Sequence, residues 1–356
     1  MTRSRLVLGI IAFVSLAALA LAWPREPDEP LVSTFSIVGF DAETGDLGIA
    51  VQSKFPNVGS VVPWAKAGVG AVATQSFARL DYGIKGLELM ENGATAEEAL
   101  RIVMRNDPDP QNRQVGIVDA HGNAAMWTGT KCFDWAGGRV GQKDGSVAEG
   151  GLEQGNNGHI ITGHGFTAQG NILVSKETVE ALADTYRSTQ GSLADKLMAA
   201  LIAGGKAGGD QRGEQSAALL VVRKDAGYDG QDNFIDISVY DHLTPIAELD
   251  RLYKLNNLYF TQSKPENMVP VTPEIAKEIQ KIWTTRGFYD GPIDGIVDAE
   301  FQKILVDYMG WENYDIRIPP VQNVDLVAGQ KLMIDKEVLK DIRDVFREGR
   351  WKPRIR

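Results

Sequence analysis

The sequence has 356 residues, of which 43% are hydrophobic and 24% charged, and its formal net charge is -10. That length is ample for a buried core and more than one domain, and the acidic balance gives a nucleic-acid role no electrostatic support. A single cysteine, Cys132, excludes an intramolecular disulfide and any multi-cysteine metal centre.

In chain order, Arg3 and Arg5 precede an apolar run from Leu6 to Trp23, and Ala20-Leu21-Ala22 has the small-x-small form of a cleavage site. Residues 1–23 read as a signal peptide or an uncleaved signal anchor, the latter attaching the N-terminus to a membrane. Either way the remainder is expected to be exported, to the periplasm, the wall or the exterior. Residues 24–33 (PREPDEPLVS) form a polar spacer.

Thr34–Phe40 and Leu47–Ser53 read as two strands around the turn-forming Asp41–Asp46, and Val69–Thr74 as a third after a Pro/Gly-punctuated link. Both parities of the hairpin are apolar, with Ile37 and Ala50 on one and Val38, Ile49 and Val51 on the other. A sheet covered on both faces reads this way. Thr34 opens the first strand. A Thr at a mature N-terminus can be nucleophile and base together: the hydroxyl attacks, and its own α-amine, with a reference pKa of about 7.7–8.0, takes the proton. Thr is equally an ordinary strand residue.

Asp81–Asn92 and Thr95–Asn106 read as helices, the second with a Thr95/Glu98 capping box. Gln114–Asp119 and Ala124–Thr128 form a second hairpin. Lys131–Gly165 is glycine-rich and reads as a long irregular loop. Gln169-Gly-Asn171 leads into Ile172–Val174. Ser175 and Ser192 are the expected caps of two further helices, ending near Arg187 and Ala203. Gly204–Gly213 reads as a glycine-rich loop, Ser216–Arg223 and Phe234–Tyr240 as a last strand pair, and Thr244-Pro245 as the start of a helix to about Asn257. Strands arranged in hairpins, with helices between the pairs, predict an α+β layered sandwich of antiparallel sheets. Of the four histidines only His159 and His164 are close in sequence, and no third ligand recurs at a metal-binding spacing, so neither metal nor cofactor is expected.

The stretches TFSIVGFDAETGDLGIAVQSK, VPWAKAGVGAVATQS, GLELMENGATAEEAL, RQVGIVDAHGNAAMWTG, AQGNIL, GGDQRGEQSAALLVV and DHLTPIAELDRLY together resemble the domain of unknown function 1028 (DUF1028) family, over about Ser33 to Phe260. That family is grouped with the N-terminal nucleophile (Ntn) hydrolases, which share a four-layer αββα sandwich. The resemblance implies that fold for residues 34–260 and raises Thr34 as nucleophile; it implies no substrate. Many relatives begin Met-Thr-Phe-Ser, so that loss of Met exposes the Thr. Here Thr34 follows Ser33, the spacer and the leader, and a cut before Thr34 is required.

An Ntn site also needs a nearby positive charge and oxyanion donors. Lys54, ending the second strand, is the candidate cation, although strand parity leaves either Lys54 or Ser53 to face Thr34. Gln75 and Ser76 stand where the third strand ends, and they and Asn171, in the stretch AQGNIL, are candidate substrate-binding groups. Asp210, Arg212 and Gln215 share the last glycine-rich loop; the Arg212 fork suits a substrate carboxylate, and a structural Asp–Arg pair is the plain alternative.

Thr261–Val271 reads as a linker. Residues 272–356 carry a helix opening at Thr272-Pro273, the signature GFYDGPIDG, a helix Glu300–Met309 and a helix from near Asp335. This part resembles the small helical peptidoglycan-binding domain found attached to the family. Tyr289, Trp311 and Tyr314 are candidate glycan-stacking residues, whereas the helical spacing of Trp283 places it in the core. The basic tail, Arg347 to Arg356, suits anionic wall or lipid, or plain solvation. The whole reads as an exported Ntn-type amidohydrolase acting on an amide of unknown identity and tethered to peptidoglycan. The competing reading is a non-catalytic envelope-binding protein on the same scaffold. The sequence does not specify an oligomeric state.

Overall fold

In the computed structural model, Thr34–Phe40 (β2) and Leu47–Ser53 (β3) form an antiparallel hairpin buried on both faces, as its two apolar parities require. The structure describes residues 31–32, 34–151, 159–317 and 331–354. The leader, most of the spacer including Ser33, part of the glycine-rich stretch and Arg356 lie outside the described residues. Among those described, no helix is long and apolar enough to cross a membrane. The described chain forms two units, residues 1–246 and 247–356.

The first unit holds two antiparallel sheets. One runs in the order β1 (Leu31–Val32), β5 (Gly70–Phe77), β6 (Arg113–Asp119), β7 (Asn123–Thr128), β10 (Ile161–His164), with β4 (Pro63–Lys66) also on β5. The other runs β13 (Asn233–Val239), β12 (Ser216–Val222), β3, β2, β11 (Phe166–Leu173), β8 (Trp135–Gly141), β9 (Val147–Gly151). The sheets face each other, with β2 and β11 against β5 and β6. Helices α1 (Leu80–Glu91) and α2 (Ala96–Arg105) cover the outer face of the first sheet. Helices α3 (Glu177–Ser188) and α4 (Leu193–Lys206) cover that of the second. The result is the expected α+β sandwich, layered α, β, β, α.

Three segments differ from the sequence reading. The Pro/Gly-punctuated link contains β4. The stretch from Lys131 contributes β8, β9 and β10 where a loop was expected, because its glycines let strands and side chains come close. A Cβ at Gly138 would strike Met126 and the Ala168 carbonyl. Finally, α3 starts at Glu177 with Lys176, not Ser175, at its cap position, while α4 extends to Lys206 and shortens the last glycine loop.

Local signals hold elsewhere. Thr95 and Glu98 form the capping box of α2, and Ser192 with Asp195 forms another on α4. Helix α1 approaches β4 at Gly83, where any side chain would run into the Trp64 indole. Between the sheets, Val38, Ile49, Val51, Ala71, Val118 and Met126 form an apolar core.

The second unit takes in most of α5 (Pro245–Phe260), together with α6 (Pro273–Arg286), α7 (Ala299–Trp311), α8 (Lys336–Arg347) and a two-stranded pair, Met268–Pro270 (β14) with Met333–Asp335 (β15). Its core centres on Trp283, which is fully buried among Ile279, Phe301, Leu305 and Tyr308. Arg317 is buried and satisfied: it donates to Asp335 at 2.9 Å and to the carbonyls of Leu258 and Asn257 at 2.9 and 2.6 Å.

Candidate active site

Strand alternation carries the apolar inter-sheet core along only part of each strand. Towards one end the same inward parity turns polar. On β2 the inward residues are Thr34, Ser36 and Val38, and on β11, in register, Asn171, Gln169 and Thr167. On β5 they are Gln75 and Ala73, and on β6 Gln114 and Gly116. Thr34, Ser36, Ser53, Gln75, Gln114, Gln169 and Asn171 are all fully buried.

These groups bond to one another across the two sheets. Thr34 Oγ1 donates to Ser53 Oγ at 3.1 Å, and Gln75 Nε2 donates to the Thr34 carbonyl at 3.2 Å. Ser36 donates to Gln75 Oε1 at 2.6 Å and accepts from Gln169 Nε2 at 2.7 Å. Gln114 is the hub. Its Oε1 accepts from Gln75 Nε2 at 2.9 Å and from Asn171 Nδ2 at 3.0 Å. Its Nε2 lies within bonding distance of Thr128 Oγ1 at 3.0 Å and of the Gly170 and Gly137 carbonyls at 2.8 and 3.2 Å. These bonds fix side-chain orientation, because each buried polar group left unbonded costs about 1–3 kcal/mol; Gln169 Oε1, Thr167 Oγ1 and Ser76 Oγ are buried there without a hydrogen-bond partner.

The backbone around this end is distorted. Ser76 has φ +70° and Ile172 φ +52°, both in the left-handed region, and the β8–β11 register breaks between Gly170 and Leu173. Such conformations in non-glycine residues gather at functional sites. Beyond the network, Phe77 and the half-exposed Phe133 meet with ring centroids 6.0 Å apart, giving this end an apolar lip. Beside it sits an ionic knot. Asp107 accepts from Arg113 Nε at 2.8 Å, Tyr82 at 2.9 Å and Arg79 at 3.1 Å. Burial opposes its charge, but the Arg113 hydrogen bond, the Asp109 amide, Tyr82 and the Arg113 charge hold the Asp107 carboxyl below its ordinary range. Burial, with the Asp107 carboxylate, pushes the Tyr82 phenol up.

Of the residues picked from sequence, Thr34, Gln75 and Asn171 meet in the network, and Ser76 adjoins it on β5. Lys54 does not face Thr34. The register pairs Thr34 with Ser53, and the exposed Lys54 Nζ instead reaches the Glu214 carbonyl at 3.3 Å. Asp210 and Arg212 pair with each other, at 3.2 Å from NH2 to Oδ2, while the other bond of Asp210 Oδ2 is to the Lys54 amide at 3.1 Å. Gln215 points elsewhere, to Asp241 at 2.9 Å. Ser36, Gln114 and Gln169 were missed, although their signal was present: polar residues on the inward parity of otherwise apolar strands. Cys132 is buried, and burial pushes its thiol up to about 11, so it is no nucleophile at neutral pH. Among the described residues no group of three or more His, Cys, Asp or Glu could hold a metal ion.

In the second unit, Tyr289 donates to the Pro292 carbonyl at 2.9 Å. Trp311 is 55% exposed, but the Arg354 guanidinium lies 5.1 Å from its ring centre and Phe288 meets it edge-on.

Comparison with known proteins follows the same division. The model described as "Family of unknown function (DUF1028)" matches residues 34–157 and 140–249. One described as "Putative peptidoglycan binding domain" matches residues 259–341. A crystal structure of protein SPO2555 from Silicibacter pomeroyi, also of the DUF1028 family, is similar at 27% identity and a TM-score of 0.52, covering 63% of this chain and 86% of that one. No curated protein matches the sequence.

Proposed function

This chain belongs to the DUF1028 family and carries a peptidoglycan-binding domain at its C-terminus, and from that premise we propose that it is an exported amidohydrolase of the Ntn type, held at the cell wall by that domain. The observation that carries the reading is the place of Thr34. It opens β2 on the inward face, at the polar end of an αββα sandwich, bonded to Ser53 and ringed by the Gln75, Gln114 and Asn171 amides.

The chemistry follows from a free Thr34. Its hydroxyl attacks the substrate amide carbon, and the hydroxyl proton passes to the α-amine. The tetrahedral oxyanion collapses, the amine returns that proton to the leaving nitrogen, and an ester on Thr34 remains. Water, deprotonated by the same amine, then releases the acid. Gln75 Nε2 donates to the Thr34 carbonyl and Gln114 Oε1, and Gln114 Nε2 to the Gly170 and Gly137 carbonyls, so an oxyanion donor here requires one of these bonds to be exchanged for the substrate oxygen. In the uncut chain the nitrogen of Thr34 is a peptide amide and no base, so scission between Ser33 and Thr34 must come first.

The full burial of Thr34 also favours a second reading, a non-catalytic wall-binding protein on this scaffold. Protein beginning at Thr34, assayed against a panel of wall peptides and acylated amino acids, separates the two. Turnover that vanishes in Thr34→Ala supports the hydrolase; no turnover by a verified free Thr34 supports the scaffold.

A further inference from the structure

The second unit contains a cleft of about 730 Å³ between α5 and α8, closed at one end by the turn after α8. Helical spacing builds it. Arg251, Lys254, Leu255 and Leu258 share one face of α5, and Glu337, Lys340 and Asp341 one face of α8. Its α5 wall lies in the gap between the two matched family regions, which end at 249 and resume at 259. Glu348 and Arg350 lie beyond residue 341. The α8 wall, with Glu337, Lys340 and Asp341, lies inside the peptidoglycan-binding match.

Its lining specifies a ligand chemistry. Leu255 and Leu258 give an apolar floor. Lys254, Lys340 and Arg350 present cations and Glu348 a carboxylate, while Glu337 is paired with Arg317 at 3.2 Å and Asp341 accepts from the Tyr314 hydroxyl, so the rim carries both signs. The lysines and Arg350 are engaged by neighbouring acids: Lys254 with Asp250 at 2.6 Å, Lys340 with Asp344 at 2.6 Å and Arg350 with Glu348 at 2.7 Å. These pairs are solvent-exposed and contribute little, so a ligand can exchange them at small cost. Among the described residues no aromatic ring lines the cleft to stack on a sugar, and the exposed Trp311 already carries Arg354 on its ring. The volume is that of a small-ligand site.

We propose that this cleft binds the short peptide stems of peptidoglycan rather than its glycan strands. Such stems carry carboxylates and amines along a chain of small aliphatic side chains, which matches the mixed-charge rim and the leucine floor. The inference rests on the wall-binding reading above and specifies which part of the wall is held.

The test uses the full chain and three probes: intact purified peptidoglycan, glycan strands stripped of peptide, and free stem peptides. The chain is expected to sediment with intact peptidoglycan, to be competed off by free stem peptide, and to bind stripped glycan at least tenfold more weakly. Lys254→Glu with Arg350→Glu, both at exposed positions, should weaken binding at least tenfold with an unchanged circular dichroism spectrum. The milder pair Lys254→Gln with Arg350→Gln should do so partially. Binding to stripped glycan that equals binding to intact wall, with no effect of the charge reversals, overturns the cleft and leaves the wall reading standing. No sedimentation with any form of wall overturns both.

Discussion

Thr34 faces Ser53 directly across the β2–β3 ladder, with Oγ1 donating to Oγ at 3.1 Å. The pair decides which strand-end residue can influence the candidate nucleophile: Ser53 can orient its hydroxyl, and Lys54 stands outside. Thr34→Ala removes that hydroxyl and one buried hydrogen bond, a loss of about 1 kcal/mol. In protein beginning at Thr34, turnover is expected to disappear while the circular dichroism spectrum stays unchanged. Thr34→Ser keeps hydroxyl and amine and should retain part of the rate.

The amine sets the pH profile. A free Thr34 amine acts as base only when neutral, and its reference pKa is about 7.7–8.0. Activity should therefore fall as pH drops through that range. A rate profile flat from pH 6 to 9 would assign the base elsewhere.

Gln114 joins the two sheets through its amide. Gln114→Met keeps the volume and removes those bonds from Gln75, Asn171 and the Gly170 carbonyl. Urea unfolding should show a loss of about 2–4 kcal/mol, from several buried groups deprived of a partner at about 1–3 kcal/mol each. A loss under 0.5 kcal/mol would mean the network is not what holds this end together.

Asp107 anchors Arg113 beside the network. Asp107→Asn leaves a buried guanidinium without its carboxylate and should destabilise by about 3 kcal/mol at neutral pH. The folded pKa of Asp107 is depressed, so its contribution is fully present above the unfolded value of about 3.9 and is lost as pH falls through the folded value. The stability gap between wild type and variant, measured by denaturant unfolding, should accordingly narrow only below about pH 4. A gap already closing at pH 6 would point to another group.

The fold was legible where its signals are local. Two apolar parities announced a doubly covered hairpin, and Thr95 with Glu98 announced a helix start. The glycine-rich region was not legible as strands, because glycine's strand preference is poor. Its role there appears only when Gly138, Gly141 and Gly163 are seen against neighbouring backbone that leaves no room for a Cβ. The site was half legible. Thr34 came from its place at the start of the first strand and from the family resemblance, Gln75 from its place at a strand end, and Asn171 from the stretch AQGNIL. The Thr34–Ser53 register depended on how a six-residue turn closes, with the Asp41 amide bonding the Asp46 carbonyl at 3.0 Å, and strand alternation alone does not dictate that. Lys54, Arg212 and Gln215 were chosen for their functional groups, which the fold directs to Glu214, Asp210 and Asp241.

The most direct test of the central claim is the N-terminus of the protein as it exists in its own cell envelope, read by mass spectrometry of the purified chain. The hydrolase account predicts a species beginning at Thr34. Protein whose N-terminus is only Met1 or Trp23, with no Thr34 species, would contradict it.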